Sequence, residues 1–172
     1  MSRKYDGLSN DEVIEEYGKF QRAFTEELKK RGIIRTINLV GELGEYKAID
    51  FYNKSPQLPN LKAVGVGTKM VDALDENGKR YSIKATRYAG TGVFNGLKDV
   101  DMDLLPEQVL DYVVIVKFTE YLSVEAIYEL DWNTFVSLKK WNGGKRTWYL
   151  NITEELKRKA KILYNTDSDM AM

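Results

Sequence analysis

The chain has 172 residues, of which 43% are hydrophobic and 30% are charged, a composition typical of a globular domain that is long enough to bury a core. Lysine plus arginine and aspartate plus glutamate both number 26, so the net charge is zero and nucleic-acid binding cannot be argued from global charge. The absence of cysteine and histidine excludes the usual zinc sites, thiol nucleophiles, serine–histidine–aspartate triads and histidine general bases. Any chemistry must use carboxylates, lysine, tyrosine or a hard metal ion.

The chain has no predicted membrane segment. Its first residues lack an apolar region, and no apolar run approaches the length of a membrane span. We therefore expect a cytoplasmic protein with no membrane partner. No repeat and no long linker divides the chain, so we expect one domain over residues 1–172, with an N-terminal helix at 9–31, a core at about 37–164 and a polar tail at 165–172.

The first predicted element is a helix from about Ser9 to Arg31. Ser9 and Glu12 have the spacing of a capping box, and Gly32 suits the C-terminal cap. Apolar residues recur at helical spacing and predict one stripe that packs against the core. These residues are Val13, Tyr17, Phe20, Phe24 and Leu28.

A second helix is predicted from about Ile37 to Tyr52. Glu42 and Glu45 lie one turn apart on the same side of it. The glycines beside them, at positions 41 and 44, each weaken a helix by about 1 kcal/mol relative to alanine. A small residue next to an acidic one allows a backbone or a ligand to approach closely. The alternative is two solvated glutamates on a surface helix.

Residues 55–68 are predicted to form a loop that leads into a β-hairpin, and two registers are possible for that hairpin. A two-residue turn would pair Glu76 with Lys79, whereas a three-residue turn ending in a left-handed Gly78 would pair Asp75 with Lys79. We predict the three-residue turn, because only that register gathers the apolar residues on one face and the polar ones on the other. The apolar set is Val71, Ala73, Ile83 and Ala85, and the polar set is Asp72, Ser82 and Lys84.

This register places a carboxylate beside an ammonium on a rigid hairpin. Carboxylate oxygens are ligands that Mg²⁺ prefers, although Mg²⁺ needs more oxygens than one side chain supplies. A neighbouring lysine can orient a water and offset charge developing on a phosphate. The alternative for Asp72 and Lys84 is a surface ion pair that contributes little stability.

Two further segments have weaker functional signals. The glycine-rich residues 88–96 do not have the spacing of a phosphate-binding loop. Asp99, Asp101 and Asp103 resemble part of a calcium loop, but the glycine and glutamate that such a loop needs are not at the right offsets. We expect a solvated connection there.

The second half of the chain contains two predicted strands and two predicted helices. Residues 111–120 hold a continuous β-branched run typical of a buried central strand, and 124–130 alternate as a half-exposed neighbouring strand after a turn at 121–123. Asn133 is predicted to cap a short helix through Lys140. A short strand at 148–150 and a final helix from Thr153 to about Tyr164 follow.

Residues 139–148 form the most basic and aromatic segment of the chain. Two glycines predict a mobile loop, in which cations suit phosphates and flat rings suit bases or sugars. The predicted nucleic-acid contacts are Lys139, Lys140, Trp141, Lys145 and Arg146. A lysine-rich helix end followed by a turn with core tryptophans is the alternative.

Taken together, a Gly-Glu helix at Gly44-Glu45, then a strand carrying Asp72, then a strand ending in Ser82-Ile83-Lys84 resembles the PD-(D/E)XK nuclease superfamily over roughly residues 37–131. The resemblance implies an α/β (α+β) fold with a mixed central β-sheet flanked by helices, the restriction-endonuclease-like fold. It also implies that Asp72 binds Mg²⁺ or Mn²⁺, that Glu45 is a second or outer ligand, that the Ile83 carbonyl adds an oxygen and that Lys84 orients the attacking water.

Ser82 departs from the family pattern, which has an acidic residue at this position. Glu45, or failing that Glu42, would have to supply the missing charge. The expectation is a Mg²⁺-dependent, restriction-like DNA endonuclease, as a homodimer if it cuts both strands. The alternatives are a catalytically inactive nuclease-fold domain that binds nucleic acid or protein, and a structural or regulatory subunit with neither activity.

Overall fold

A computed structural model describes residues 5–65, 68, 70–100 and 107–166. The elements in chain order are α1 (Asn10–Lys30), α2 (Leu39–Lys54), β1 (Leu61–Ala63), β2 (Ala73–Asp75), β3 (Arg80–Thr86), β4 (Tyr112–Phe118), β5 (Val124–Asp131), α3 (Trp132–Leu138), β6 (Lys140–Asn142), β7 (Thr147–Tyr149), α4 (Glu154–Lys159) and β8 (Lys161–Asn165).

Six strands form one sheet in the order β1-β2-β3-β4-β5-β8. β3 and β4 are parallel and the other neighbours are antiparallel, while β6 and β7 form a separate hairpin. The prediction of a mixed α/β fold with a mixed sheet is therefore confirmed. Among the described residues, no helix combines the length and the apolar character needed to cross a bilayer.

The core lies on both faces of the sheet, with β4 at its centre. The four residues 113–116 are completely buried, as the β-branched run predicts, because alternate side chains enter opposite layers. Val114 and Val116 face the layer that α2 covers, which includes Ala48 and Tyr52. Val113 and Ile115 face the layer built by other residues: Phe94, Phe135, Trp148, Leu150 and Leu156.

The hairpin of β2 and β3 has the predicted three-residue turn. Ala73 pairs with Tyr81 and Leu74 with Arg80, and the Asp75 amide donates to the Lys79 carbonyl at 3.1 Å. Gly78 takes the left-handed conformation, with φ of 76°.

One residue of the predicted apolar face is placed differently. Ala73, Ile83 and Ala85 lie on the α2 side of the sheet, but Val71 packs against the opposite layer. Val71 precedes the first residue of β2 and follows Met70, which has a φ of 65°, so the strict alternation of a strand does not extend to it.

Three predictions, for α1, for residues 55–68 and for the final helix, are wrong. The apolar stripe of α1 does not pack against a core, since no residue of this helix is buried. The loop predicted at 55–68 contains β1, whose residues pair with β2. The predicted final helix ends at Lys159, and the following residues form β8. They are extended because the edge of β5 supplies hydrogen-bond partners for their backbone.

Predictions around α3 and β5 also need correction. Asp131, not Asn133, caps α3 by accepting a hydrogen bond from the Thr134 amide at 2.7 Å, and the helix ends at Leu138 before Lys140. The segment at 139–148 is the β6–β7 hairpin rather than a mobile loop. β5 is buried on both faces instead of half-exposed, because its side chains enter both core layers. Asp101, Asp103 and the tail from residue 167 lie outside the described residues.

We expect the two glycines of α2 to respond in opposite ways to alanine. A Cβ at Gly44 would lie 2.2 Å from the Cβ of Ala85 on β3, whereas a Cβ at Gly41 would meet the movable end of the Asn38 side chain. Gly44→Ala should lower the free energy of unfolding by roughly 1–3 kcal/mol through overpacking. Gly41→Ala should leave it unchanged or raise it by up to about 1 kcal/mol through helix propensity. Chemical denaturation measures both, and equal effects would contradict this close approach.

Candidate active site

Backbone hydrogen bonds hold Asp72 at the start of the β2–β3 hairpin. Its amide donates to the Tyr81 carbonyl at 2.8 Å, and its own carbonyl accepts from the Val64 amide at 3.1 Å. Asp72 thus lies between the β3 side and the segment after β1, although β2 itself begins one residue later. Its side chain points to the face of the sheet that carries Ser82 and Lys84.

The carboxylate of Asp72 collects three donors from β3. Its Oδ2 atom accepts from the Ile83 amide at 2.6 Å, the Ser82 hydroxyl at 3.1 Å and the Lys84 ammonium at 3.4 Å. These contacts fix the orientation of the carboxylate and bring four of the sequence-predicted site residues together. Ser82 is 1% exposed, so its hydroxyl serves this carboxylate inside the protein.

Lys84 is held from two further directions. Its ammonium donates to the Ile83 carbonyl at 3.2 Å and lies 5.4 Å from the centre of the Phe94 ring, a distance at which a cation–π attraction operates. Its side chain is only 20% exposed. Lys84 is therefore a partly desolvated cation in a defined position rather than a solvated surface lysine.

Helix α2 brings Glu45 towards this pair. The contact of Gly44 with Ala85 allows the helix to approach β3 closely, next to Lys84. Burial raises the pKa of Glu45, and the negative charge of Asp72 raises it further, while Arg35 and Lys84 oppose the shift. The carboxylate of Glu45 is thus within electrostatic range of both hairpin charges.

Glu42 has a different environment, although it lies one turn away. It is buried, and its carboxylate accepts from the Arg35 amide at 2.9 Å and from the Arg35 guanidinium at 3.2 Å. Burial alone would raise the pKa of Glu42, but hydrogen bonds from Arg35 and Thr36 and the charge of Arg35 outweigh it and lower the pKa. Arg35 also forms an ion pair with Glu45. The contacts of Glu42 thus position Arg35.

The site residues line two cavities. Asp72, Ser82, Lys84 and Phe94 border one of about 460 Å³. Glu45 borders a second, of about 290 Å³, together with Arg35, Glu42 and other residues of α2. The structure therefore gathers the hairpin residues in one cavity and places Glu45 at another, where the charges of Asp72 and Lys84 still act on it.

Two carboxylates and one carbonyl are available to a metal ion. Within residues 5–65, 68, 70–100 and 107–166, no group of three acidic side chains could hold a metal. Mg²⁺ is nevertheless bound by one or two carboxylates with several waters in many proteins, and carboxylate, carbonyl and water also suit Mn²⁺. The oxygens of Asp72, Glu45 and the Ile83 carbonyl are of the type that suits such an ion; Asp72 and the Ile83 carbonyl meet at the Lys84 ammonium, whereas Glu45 borders the other cavity.

The β6–β7 hairpin adjoins the larger cavity. The Phe94 amide donates to the Trp148 carbonyl at 2.8 Å, so the residue beneath Lys84 is bonded directly to β7. Trp148 is buried and packs edge-to-face on the half-buried Trp141, as in the alternative in which the tryptophans belong to the core. The Lys139 ammonium lies 3.8 Å from the centre of the Trp148 ring.

The remaining cations of this hairpin are at its surface. Lys140, Lys145 and Arg146 are exposed, and Arg146 forms an ion pair with Asp99. Positive charge is therefore present on the hairpin that is bonded to Phe94, a residue of the cavity wall. Its distribution is local, as a chain with zero net charge requires.

The sequence gives no direct indication of two residues of the site, Arg35 and Phe94. Arg35 lies before the predicted second helix, and only its sign, opposite to those of Glu42 and Glu45, hints at a contact. Phe94 lies in the glycine-rich segment, which carries no periodic signal. Both depend on contacts between residues that are distant in sequence.

The chain matches no protein-family model and no curated protein.

The two glutamates of α2 should have opposite effects on stability when each is changed to glutamine. The folded state holds the Glu45 proton more tightly than the unfolded chain, so its stabilising effect is complete below the ordinary pKa of 4.5 and is lost as the pH rises through the folded pKa. Glu45→Gln should therefore raise the melting temperature at pH 7 in EDTA. This gain should shrink towards pH 4.5.

Glu42→Gln is the matched control on the same helix. The pKa of Glu42 is lowered in the folded state, so its ionised form adds stability above the ordinary value of 4.5, and that stability is lost as the pH falls through the folded pKa. Glu42→Gln should lower the melting temperature at pH 7. Thermal denaturation from pH 4 to pH 8 measures both variants, and a common direction would show that the two charge environments are not as described.

Proposed function

We propose that this protein is a Mg²⁺- or Mn²⁺-dependent DNA endonuclease with a restriction-endonuclease-like fold. The observation that carries the proposal is the Lys84 ammonium 3.4 Å from the Asp72 carboxylate, on the wall of a cavity beside the basic β6–β7 hairpin. The order of a Gly-Glu helix, an aspartate strand and a lysine strand supports it, as does the mixed sheet. The charge coupling of Glu45 to both groups supports the assignment of a second carboxylate to the site.

In this mechanism Lys84 orients the attacking water. An ammonium has three N–H groups, and two of those of Lys84 have partners among the described residues, the Asp72 carboxylate and the Ile83 carbonyl. The third can hydrogen-bond a water or a phosphate oxygen. The bonds from Ile83 and Ser82 keep the Asp72 carboxylate in place while the lysine acts. Hydrolysis forms one P–O bond to water and breaks another, and protons pass to and from solvent.

The metal ion would be held by Asp72 and Glu45, with the Ile83 carbonyl as a further oxygen. When bound, it would supply Lewis-acid stabilisation of the charge that develops on the phosphate. Arg35 stays beside Glu45 as an internal counter-charge. Lys140 and Lys145 would contact the DNA backbone, and a homodimer would match the two-fold symmetry of duplex DNA.

A second candidate is a catalytically inactive nuclease-fold domain that binds nucleic acid or protein. One observation favours it: Ser82 occupies the position where the family pattern has an acid, and its hydroxyl already donates to Asp72. The ion pair of Glu45 with Arg35 neutralises the other carboxylate without a metal. The basic hairpin would then act in binding alone.

Cleavage of supercoiled plasmid in Mg²⁺ or Mn²⁺ tests the first candidate. Asp72→Asn and Lys84→Met should each reduce the rate on the order of 100-fold or more, because each removes a group that acts in the transition state. Lys79→Met is the matched control, since Lys79 lies in the same hairpin at the turn and pairs with Asp111. Absence of cleavage on duplex, branched and single-stranded DNA would count against the proposal.

Ser82→Asp tests the metal site separately from cleavage. A second carboxylate beside Asp72 should lower the melting temperature in EDTA through like-charge repulsion and should enlarge the stabilisation that Mg²⁺ or Mn²⁺ produces. Thermal denaturation with a titration of each metal measures this difference. A metal response identical to that of the wild type would mean that Ser82 does not face the ion.

Salt-dependent DNA binding separates the two candidates. If the chain is a binding module, Lys140→Ala combined with Lys145→Ala should weaken DNA binding and flatten its salt dependence. Asp72→Asn should leave binding unchanged, and neither the wild type nor any variant should cleave DNA. A gel-shift series across salt concentrations measures this. Binding by the double variant at wild-type strength would exclude the hairpin as the DNA contact in either candidate.

A further inference from the structure

Helix α1 exposes a stripe of large apolar side chains. Five of them are between 41% and 68% exposed. They are Val13, Ile14, Tyr17, Phe20 and Phe24. The two phenylalanines pack on each other along the helix, with ring centres 4.5 Å apart. The described part of the chain leaves this stripe uncovered.

The polar face of α1 forms ion pairs and a capping box within the helix itself. Ion pairs join Lys19 to Glu15 and Arg22 to Glu26, and Ser9 closes the capping box at the start of the helix. Exposed pairs of this kind contribute little, and most helical stability in proteins comes from packing of an apolar face. Such packing for α1 must come from outside the described chain.

The spacing of the stripe is that of a helix-pairing seam. Val13, Tyr17, Phe20 and Phe24 follow at intervals of four, three and four residues, the alternation of the a and d positions of a heptad. In an antiparallel pair of identical helices, this spacing sets Val13 against Phe24 and Tyr17 against Phe20. A groove of about 300 Å³ between Tyr5, Val13 and Tyr17 offers space for an aromatic ring from the opposite helix.

The charges of α1 favour the antiparallel arrangement. Residues 5–16 contain five acidic residues and no basic one, whereas residues 17–31 contain five basic residues and two acidic ones. Antiparallel pairing places the acidic half of each helix beside the basic half of the other and also opposes the helix dipoles. Parallel pairing would place like charges together.

We propose that α1 pairs with α1 of a second copy of this chain as an antiparallel two-helix interface. The occupant is a second copy because the stripe is self-complementary in both side-chain spacing and charge. This interface does not depend on the proposed nuclease activity, since Asp72 and Lys84 belong to other elements. Its failure would leave that proposal standing, and the reverse is also true.

Sedimentation across a concentration series tests the interface. The wild type should self-associate to a dimer, and the double variant Phe20→Ser with Phe24→Ser should associate on the order of 100-fold more weakly. The control is Gln21→Ser with Thr25→Ser, which introduces the same residues at the same spacing beside the stripe without changing the charge of the helix and should remain dimeric. Denaturation of the sheet core should be the same for both double variants, because no residue of α1 is buried.

Two results would overturn the interface. A monomeric wild type, including one that instead binds lipid vesicles or another macromolecule through α1, shows that the stripe has a different occupant. A wild-type dimer that persists in the Phe20→Ser, Phe24→Ser variant shows that the copies meet elsewhere.

Introduced cysteines test the direction of pairing, since the chain has none of its own. In the antiparallel arrangement, residue 13 of one copy lies about 16 Å along the axis from residue 13 of the other, at 1.5 Å per residue, too far for a disulfide. Val13→Cys alone should therefore stay unlinked, while a mixture of Val13→Cys and Phe24→Cys chains should form the mixed disulfide under mild oxidation. Self-linked Val13→Cys, identified by mass, would overturn the antiparallel arrangement.

Discussion

The register of the β2–β3 hairpin is the constraint on which the candidate site depends. The Asp75 carboxylate accepts hydrogen bonds from the amides of Asn77 and Lys79 at 2.8 and 2.9 Å, and Gly78 supplies the left-handed residue that closes the turn. A shift of one residue would send the Asp72 carboxylate and the Lys84 ammonium to opposite faces of the sheet. A short turn remote from the cavity therefore determines whether these two charges meet.

The packing of α2 against β3 adds repulsion between two carboxylates to that geometry. The Gly44–Ala85 contact brings a second carboxylate, Glu45, close enough to be repelled by Asp72, and Arg35 offsets part of the repulsion. A fold selected for stability alone gains nothing from a carboxylate whose pKa is raised by burial and by this repulsion. Perturbed acids in a cleft are typical of functional sites, and the proposed metal ion would be a partner for these two acids.

Helix α1 and strand β4 show why an apolar pattern does not identify its partner. Helical spacing in α1 and a continuous β-branched run in β4 predict elements of the right type, and both are present. In β4 the apolar run is buried by layers from both sides, whereas in α1 the equally clear stripe stays exposed. Periodicity states which face of an element is apolar, but the surface that covers this face comes from elsewhere in the fold or from another molecule.

Local chemistry determined a large part of this protein from the sequence alone: the capping box of α1, the central strand, the turn at Gly78 and hence the pairing of Asp72 with Lys84 depend on neighbours within a few residues. The tertiary structure decided the rest. β8 is a strand because β5 offers it an edge, and Arg35 and Phe94 belong to the site because distant segments meet there. Residue spacing indicates contacts between residues that are close in sequence, whereas contacts between distant residues form only when the layers pack.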